Sequence, residues 1–74
     1  MTKKLPRLTA QELIKALNKL GFMESRSSGS HRIYKKGSKR IVVPFHSGKI
    51  IHPKIIKDVL TVCDISLEKF ISLL

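Results

Sequence analysis

Residues 31–44 read HRIYKKGSKRIVVP, two short extended runs around a glycine turn. β-Branched and aromatic residues are concentrated in two short runs, 31–36 and 40–44, which is typical of strands. Gly37-Ser38-Lys39 separates the two runs and supplies the turn. Pro44 ends the second run, because proline has no backbone N–H to donate to a neighbouring strand. The stretch therefore predicts an antiparallel hairpin.

A third extended run precedes this hairpin. Residues 22–26 are followed by the turn residues Ser27-Ser28-Gly29-Ser30, so the chain predicts a three-stranded antiparallel meander. Side chains alternate between the two faces of a strand, which places Ile33 on one face and Arg32 with Tyr34 on the other. We expect the face of Ile33 to meet the core. Helices should cover that face and leave the opposite one to basic side chains or a partner.

One helix is predicted before the meander and a second after it. Thr9 and Glu12 have the spacing of a capping box, which predicts a helix over 10–20 that ends at Gly21. His52-Pro53 opens the second helix, in which proline occupies a first-turn position.

A short final helix completes the predicted chain, capped by either Asp64 or Ser66. The predicted class is thus α+β, in the order α-β-β-β-α with a short C-terminal helix. At 74 residues, the chain is expected to form a single domain over 1–74.

The charge of the chain is strongly positive and unevenly distributed. Its formal net charge is +10. No acidic residue occurs between Glu24 and Asp58, an interval that holds nine of the fifteen Lys and Arg residues and all three histidines. Such a surplus lowers stability by self-repulsion, and this cost is offset when a polyanion binds. Nucleic acid is therefore the favoured class of partner.

The three histidines differ in their surroundings. His31 follows the flexible pair Gly29-Ser30 and has cations around it, a setting that suits a general acid or base. We expect His46, in a polar loop, to contact RNA or a partner, and His52 to be a turn or helix N-terminal residue. Alternation gives His31 the same face as Ile33, toward the core, unless the strand starts one residue later or a bulge turns the imidazole outward.

The hairpin concentrates positive charge. Cations in one cluster make the affinity for a polyanion fall steeply with salt. Tyr34 is the candidate for stacking on a base, with packing inside the sheet as the alternative. RNA can be cleaved without a metal, because its 2′-hydroxyl is the nucleophile and needs only a base and cations that stabilise the phosphorane. The candidate phosphate-binding residues are Arg32, Lys35, Lys36, Lys39 and Arg40.

Other classes of chemistry lack support in the sequence. Cys63 is the only cysteine, so an intrachain disulfide is excluded and a reducing compartment is indicated. No spacing of histidines and carboxylates matches a metal site, and we expect neither metal nor cofactor. No apolar stretch approaches the roughly 18 residues that span a bilayer. We therefore expect a cytoplasmic protein with no membrane association.

Several short motifs, in their order and spacing, resemble the HicA family of toxins, also called YcfA-like mRNA interferases. The resemblance extends over about residues 8–70. Arg32 is a departure, because many members have a second histidine at that position, and His31 remains the only histidine of its motif. The motifs are Leu8-Thr9-x-x-Glu12-Leu13-Ile14, Leu20-Gly21-Phe22, Gly29-Ser30-His31-x-x-Tyr34, Val43-Pro44-x-His46 and Ile65-Ser66-Leu67-Glu68-Lys69-Phe70.

The resemblance implies a fold like that of double-stranded-RNA-binding domains. It also implies an endoribonuclease that cleaves mRNA through His31, and a HicB-like antitoxin that binds the toxin and masks this histidine. We expect the free toxin to be monomeric. His46 matches a recurrent position of the family without an assigned role.

Two other functions remain open at this point. The first is a non-catalytic module that binds double-stranded RNA by its shape, with His31 making only a 2′-hydroxyl or phosphate contact. The second is an interaction protein whose basic face binds an acidic partner chain.

Overall fold

The elements follow one another in the order α-β-β-β-α-α, which confirms the predicted order and the α+β class. The computed structural model describes residues 5–46 and 49–74, so Ser47 and Gly48 of the predicted loop lie outside the described residues. The helices are α1 (Ala10–Lys19), α2 (Pro53–Cys63) and α3 (Leu67–Ile71), and the strands are β1 (Met23–Ser28), β2 (His31–Lys36) and β3 (Lys39–Pro44).

Helix α1 begins with the predicted capping box. The backbone N–H of Thr9 donates to Oε1 of Glu12 at 2.9 Å, and the backbone N–H of Glu12 donates to Oγ1 of Thr9 at 3.3 Å. Each side chain thus satisfies an N–H that has no partner within the helix. Gly21, with φ of +98°, then turns the chain toward β1.

The three strands form one antiparallel sheet in the order β1-β2-β3, joined by two-residue turns. Gly29 and Gly37 occupy the first central position of these turns, with φ of +58° and +60°. Glycine at this position is typical of type II′ turns, whose twist matches that of the flanking strands. The second of these turns pairs Lys36 with Lys39 across the strands. This register places Tyr34 opposite Ile41.

The sheet meets the core through the face opposite to the predicted one. Tyr34 and Ile41 are each 3% exposed and Val43 is fully buried, whereas Ile33 lies opposite Val42 on the other face and Val42 is 36% exposed. The expectation that the face of Ile33 meets the core is therefore wrong. The physical reason is area: a tyrosine ring with two aliphatic neighbours buries more apolar surface than the Ile33 and Val42 pair.

All three helices contribute to the core on the side of Tyr34. Leu13 and Leu17 of α1 are fully buried, as are Ile56 of α2 and Phe70 of α3. The N-cap of α3 is Ser66, whose Oγ accepts from the backbone N–H of Lys69 at 3.1 Å; of the two predicted caps, Ser66 is the one used. Hereafter the face of the sheet that points away from the helices is called the outer face.

Candidate functional site

The register of the strands determines which basic residues share the outer face. Lys35 and Arg40 form a cross-strand pair there, and both are exposed. His31 lies on the same face, four residues before Lys35 in β2 and about 13 Å from it by the rise of a strand. The outer face thus carries two adjacent cations at one end and an imidazole at the other.

A β-bulge in β1 adds a third cation to the outer face. The register shifts between Glu24 and Arg26, and Arg26 then lies opposite Ile33. In an unbroken strand, Arg26 and Glu24 would share the helix side. Arg26 was not predicted from the sequence, because alternation along the strand carries no signal for a bulge.

The remaining cations of the hairpin lie on the helix side. The guanidinium of half-buried Arg32 lies 4.0 Å from the centroid of the Phe45 ring, a cation–π distance. Nζ of Lys36 donates to the carbonyl oxygen of Leu20 at 2.7 Å, and Lys39 is the cross-strand partner of Lys36. The expected single cluster of five cations is therefore wrong, since β2 and β3 direct them to two faces.

Tyr34 is part of the core. Its ring is almost fully buried, and its hydroxyl donates to Oε1 of Glu24 at 3.4 Å. Burial, and then the negative charge of Glu24, raise the pKa of the Tyr34 phenol. The structure thus places Tyr34 as the packing alternative describes, with no ring face open to a base.

His31 is exposed at the first position of β2 and points outward. The expected inward direction is wrong because the core lies on the opposite face, and neither a later strand start nor a bulge in β2 is needed. The carbonyl oxygen of Ser30 accepts from the backbone N–H of Phe45, and His31 lies opposite Pro44. The Gly-Ser-His turn is therefore held against the Pro-Phe-His segment that follows β3.

A groove of about 500 Å³ runs between β3 and α2 and includes His31. We call it the β3–α2 groove. Most of its walls are aliphatic, but Arg40 from the sheet and Asp58 from the helix also line it. Asp58 was not predicted from the sequence, because only the packing of α2 along β3 brings this carboxylate to the groove that His31 lines. The lining residues are His31, Arg40, Ile41, Val42, Pro44, Ile55, Asp58, Thr61 and Val62.

His46 and His52 both line a second cavity, of about 200 Å³. Pro44 lines this cavity as well as the β3–α2 groove. Lys49 is another of the residues that line the second cavity. Nδ1 of His52 accepts from the backbone N–H of Lys54 at 3.0 Å and so caps α2. His52 is thus the helix N-terminal residue expected from the sequence, whereas His46 lies outside the groove of His31.

Burial raises the pKa of the half-buried Cys63 thiol, although Lys39 and Lys36 lower it in part.

Within residues 5–46 and 49–74, no three His, Cys, Asp or Glu side chains are grouped so as to hold a metal ion. In the same ranges, no helix is long and apolar enough to cross a membrane.

The fold and the outer face define a small, strongly basic α+β domain like those that bind double-stranded RNA, with an exposed histidine beside a groove. The family model described as the HicA toxin of bacterial toxin-antitoxin matches residues 10–65, from the start of α1 to just beyond α2. The chain therefore belongs to the HicA toxin family. It is the toxin of a toxin–antitoxin pair, and an antitoxin is its partner. A comparison with curated proteins finds no match.

Proposed function

We propose that this toxin is a metal-independent endoribonuclease that cleaves mRNA, with His31 as its general base and acid. The observation that carries the proposal is the position of His31: an exposed imidazole on the outer face, lining the β3–α2 groove together with Arg40. Membership of the HicA family supports the same reaction.

The reaction requires little of the protein because RNA contains its own nucleophile. His31 takes the proton of a 2′-hydroxyl, the 2′-oxygen forms a bond to the adjacent phosphorus, and the bond from phosphorus to the 5′-oxygen breaks. The imidazolium can return its proton to the departing 5′-oxygen. The products are a 2′,3′-cyclic phosphate and a 5′-hydroxyl. Arg32 occupies the next position of the motif and leaves His31 as its only histidine, so the proposal assigns both proton transfers to His31.

The cations of the outer face have two tasks in this reaction. Arg40 lines the groove of His31, where a cation stabilises the charge that develops on the phosphorane. Lys35 and Arg26 hold the phosphates of the flanking chain. We assign Arg32, Lys36, Lys39 and His46 to outlying RNA contacts, since they lie on the helix side or in the second cavity. Tyr34 has no part in binding, because its ring is buried.

The test compares His31→Ala with His52→Asn on a 5′-labelled RNA. Asparagine is a good N-cap, so the control keeps the start of α2 while removing an imidazole. We expect His31→Ala to lower the rate about 10²- to 10⁴-fold, and His52→Asn to leave it within about twofold. Wild type should produce cyclic phosphate ends and retain its rate in EDTA.

Two results would contradict this assignment. If His31→Ala cleaves as fast as wild type, the catalytic role of His31 is wrong. If wild-type protein binds RNA with a steep salt dependence and leaves it intact, the chain is a binding module instead.

We also propose that the antitoxin is HicB-like and covers His31, and that the free toxin is monomeric. Diethyl pyrocarbonate modifies accessible imidazoles, and mass spectrometry locates the modified residue. We expect His31 to be modified in the free toxin and protected in the purified complex. Equal modification in both samples would show that the antitoxin inhibits without masking the histidine. Light scattering on the free toxin tests its monomeric state.

A further inference from the structure

We propose that the β3–α2 groove binds one unstacked nucleobase of the RNA, and that Asp58 selects guanine. This inference rests on the proposed ribonuclease function and names a specificity-determining residue for it. It begins from an acidic side chain, Asp58, that lines the groove of His31.

Helix α2 presents two different faces. Ile56 and Val59 are buried in the core, whereas Ile55, Asp58 and Val62 follow one another at helical spacing along the groove. The groove-lining face is thus aliphatic at both ends and polar in the middle, where Thr61 stands beside Asp58.

The shape of the groove suits a flat, largely apolar ligand with a polar edge. Its volume of about 500 Å³ lies within the range of ligand-binding pockets. Val42 and Pro44 of β3 oppose Ile55 and Val62 of α2, so a base can insert between aliphatic walls. Bases unstacked in this way are read on their Watson–Crick edges.

Guanine is favoured because a carboxylate only accepts hydrogen bonds. The Watson–Crick edge of guanine presents two adjacent donors, the N1–H and the N2 amino group, which match the two oxygens of Asp58. Adenine, cytosine and uracil each present a single donor group on that edge. A cationic outer face attracts RNA of any sequence, whereas an acceptor in the groove discriminates among bases.

The experiment compares wild type, Asp58→Asn and Asp64→Asn on RNA that is randomised around the cleavage site, with sequencing of the new 5′ ends. Asp64→Asn is the control, because it removes one negative charge, as Asp58→Asn does. Asparagine tolerates the left-handed conformation that Asp64 has at the end of α2 (φ +54°). We expect guanine to be enriched next to the cleaved bond in wild type and Asp64→Asn. In Asp58→Asn the preference should fall about ten- to a hundredfold.

Several outcomes would overturn the inference while leaving the ribonuclease function intact. These are cleavage by wild type without a guanine preference, a preference retained in Asp58→Asn, and an equal loss in Asp64→Asn. If Asp58→Asn instead weakens only the antitoxin complex, the groove binds a protein segment.

A binding measurement decides the case in which wild type does not cleave RNA at all. That result would refute the proposed function, but the groove can still be tested with 3′-GMP and 3′-AMP. We expect 3′-GMP to shift the backbone amide resonances of Asp58, Thr61 and Val62 more than 3′-AMP does, and Asp58→Asn to remove the difference. Absent or equal shifts would overturn the inference.

Discussion

The division of the hairpin cations between two faces predicts which of them control the salt dependence of RNA binding. Lys35 and Arg40 form an exposed pair on the outer face, whereas Nζ of Lys36 is bonded to the carbonyl oxygen of Leu20. Each phosphate contact contributes about 0.7 to the slope of log affinity against log salt for a single strand. We therefore expect Lys35→Gln and Arg40→Gln each to reduce the slope by about 0.7, and the double variant by about 1.4.

The consequence is large enough to measure. When the salt concentration rises from about 50 to about 200 mM, the affinity of both proteins for RNA falls. With a slope reduced by about 1.4, the fold-loss of affinity is roughly seven times smaller for the double variant than for its parent. The assay is fluorescence anisotropy of a labelled single-stranded RNA, in the His31→Ala background so that the RNA stays intact. Lys36→Gln should reduce the slope less than Lys35→Gln does, because its ammonium group is already bonded.

Lys69→Gln in α3 is the control for the loss of one positive charge, because α3 packs on the helix side. Its slope should match that of the parent. The reasoning is refuted if the double variant keeps the parental slope, or if Lys69→Gln lowers the slope as much as Lys35→Gln.

Three predictions concern stability. Gly21→Ala should lower the free energy of unfolding by about 1–2 kcal/mol in urea titrations, since φ is +98° and the new Cβ would lie 3.2 Å from Cε of Lys36; an unchanged midpoint would contradict this. Phe70→Ala should cost about 3–5 kcal/mol, because the ring is fully buried, and a loss below about 1 kcal/mol would show that α3 is dispensable. Because folding raises the pKa of Tyr34, its protonated phenol stabilises the folded state, and this stabilisation is complete below the unfolded pKa of about 10. The stabilisation is lost as the pH rises through the folded pKa. Tyr34→Phe should therefore flatten the alkaline decline in stability, and an equally steep decline would refute the assignment.

The helix ends were predictable because their signals are local. Thr9 and Glu12 are near each other in sequence and form the capping box that their spacing predicts. His52 and Pro53 likewise begin α2. Such contacts are made within one helical turn, so no knowledge of the rest of the fold is required.

The face of the sheet that meets the core could not be predicted from alternation alone, because alternation separates the two faces of a strand without showing which one is buried. With Gly37-Ser38-Lys39 as the turn, Ile33 would lie opposite Val43 and share its buried face. The observed turn has two residues, and it places Ile33 opposite Val42 instead. A shift of one residue moves every side chain of a strand to the other face relative to its partner. The inward direction expected for His31 followed from the face assigned to Ile33, with which it alternates in step.

Asp58 could not be predicted from the sequence, because its importance depends on how α2 packs along β3. The interval without acids, from Glu24 to Asp58, suggests that the whole basic region avoids carboxylates. In space, however, Asp58 lines the same groove as His31 and Arg40. A carboxylate that faced the phosphate backbone would repel it. At the wall of a groove a carboxylate can meet a base edge instead, where an acceptor of hydrogen bonds adds selectivity. In the proposed function, the phosphate attacked beside His31 and Arg40 lies where the groove opens onto the outer face, and the base that enters the groove meets Asp58.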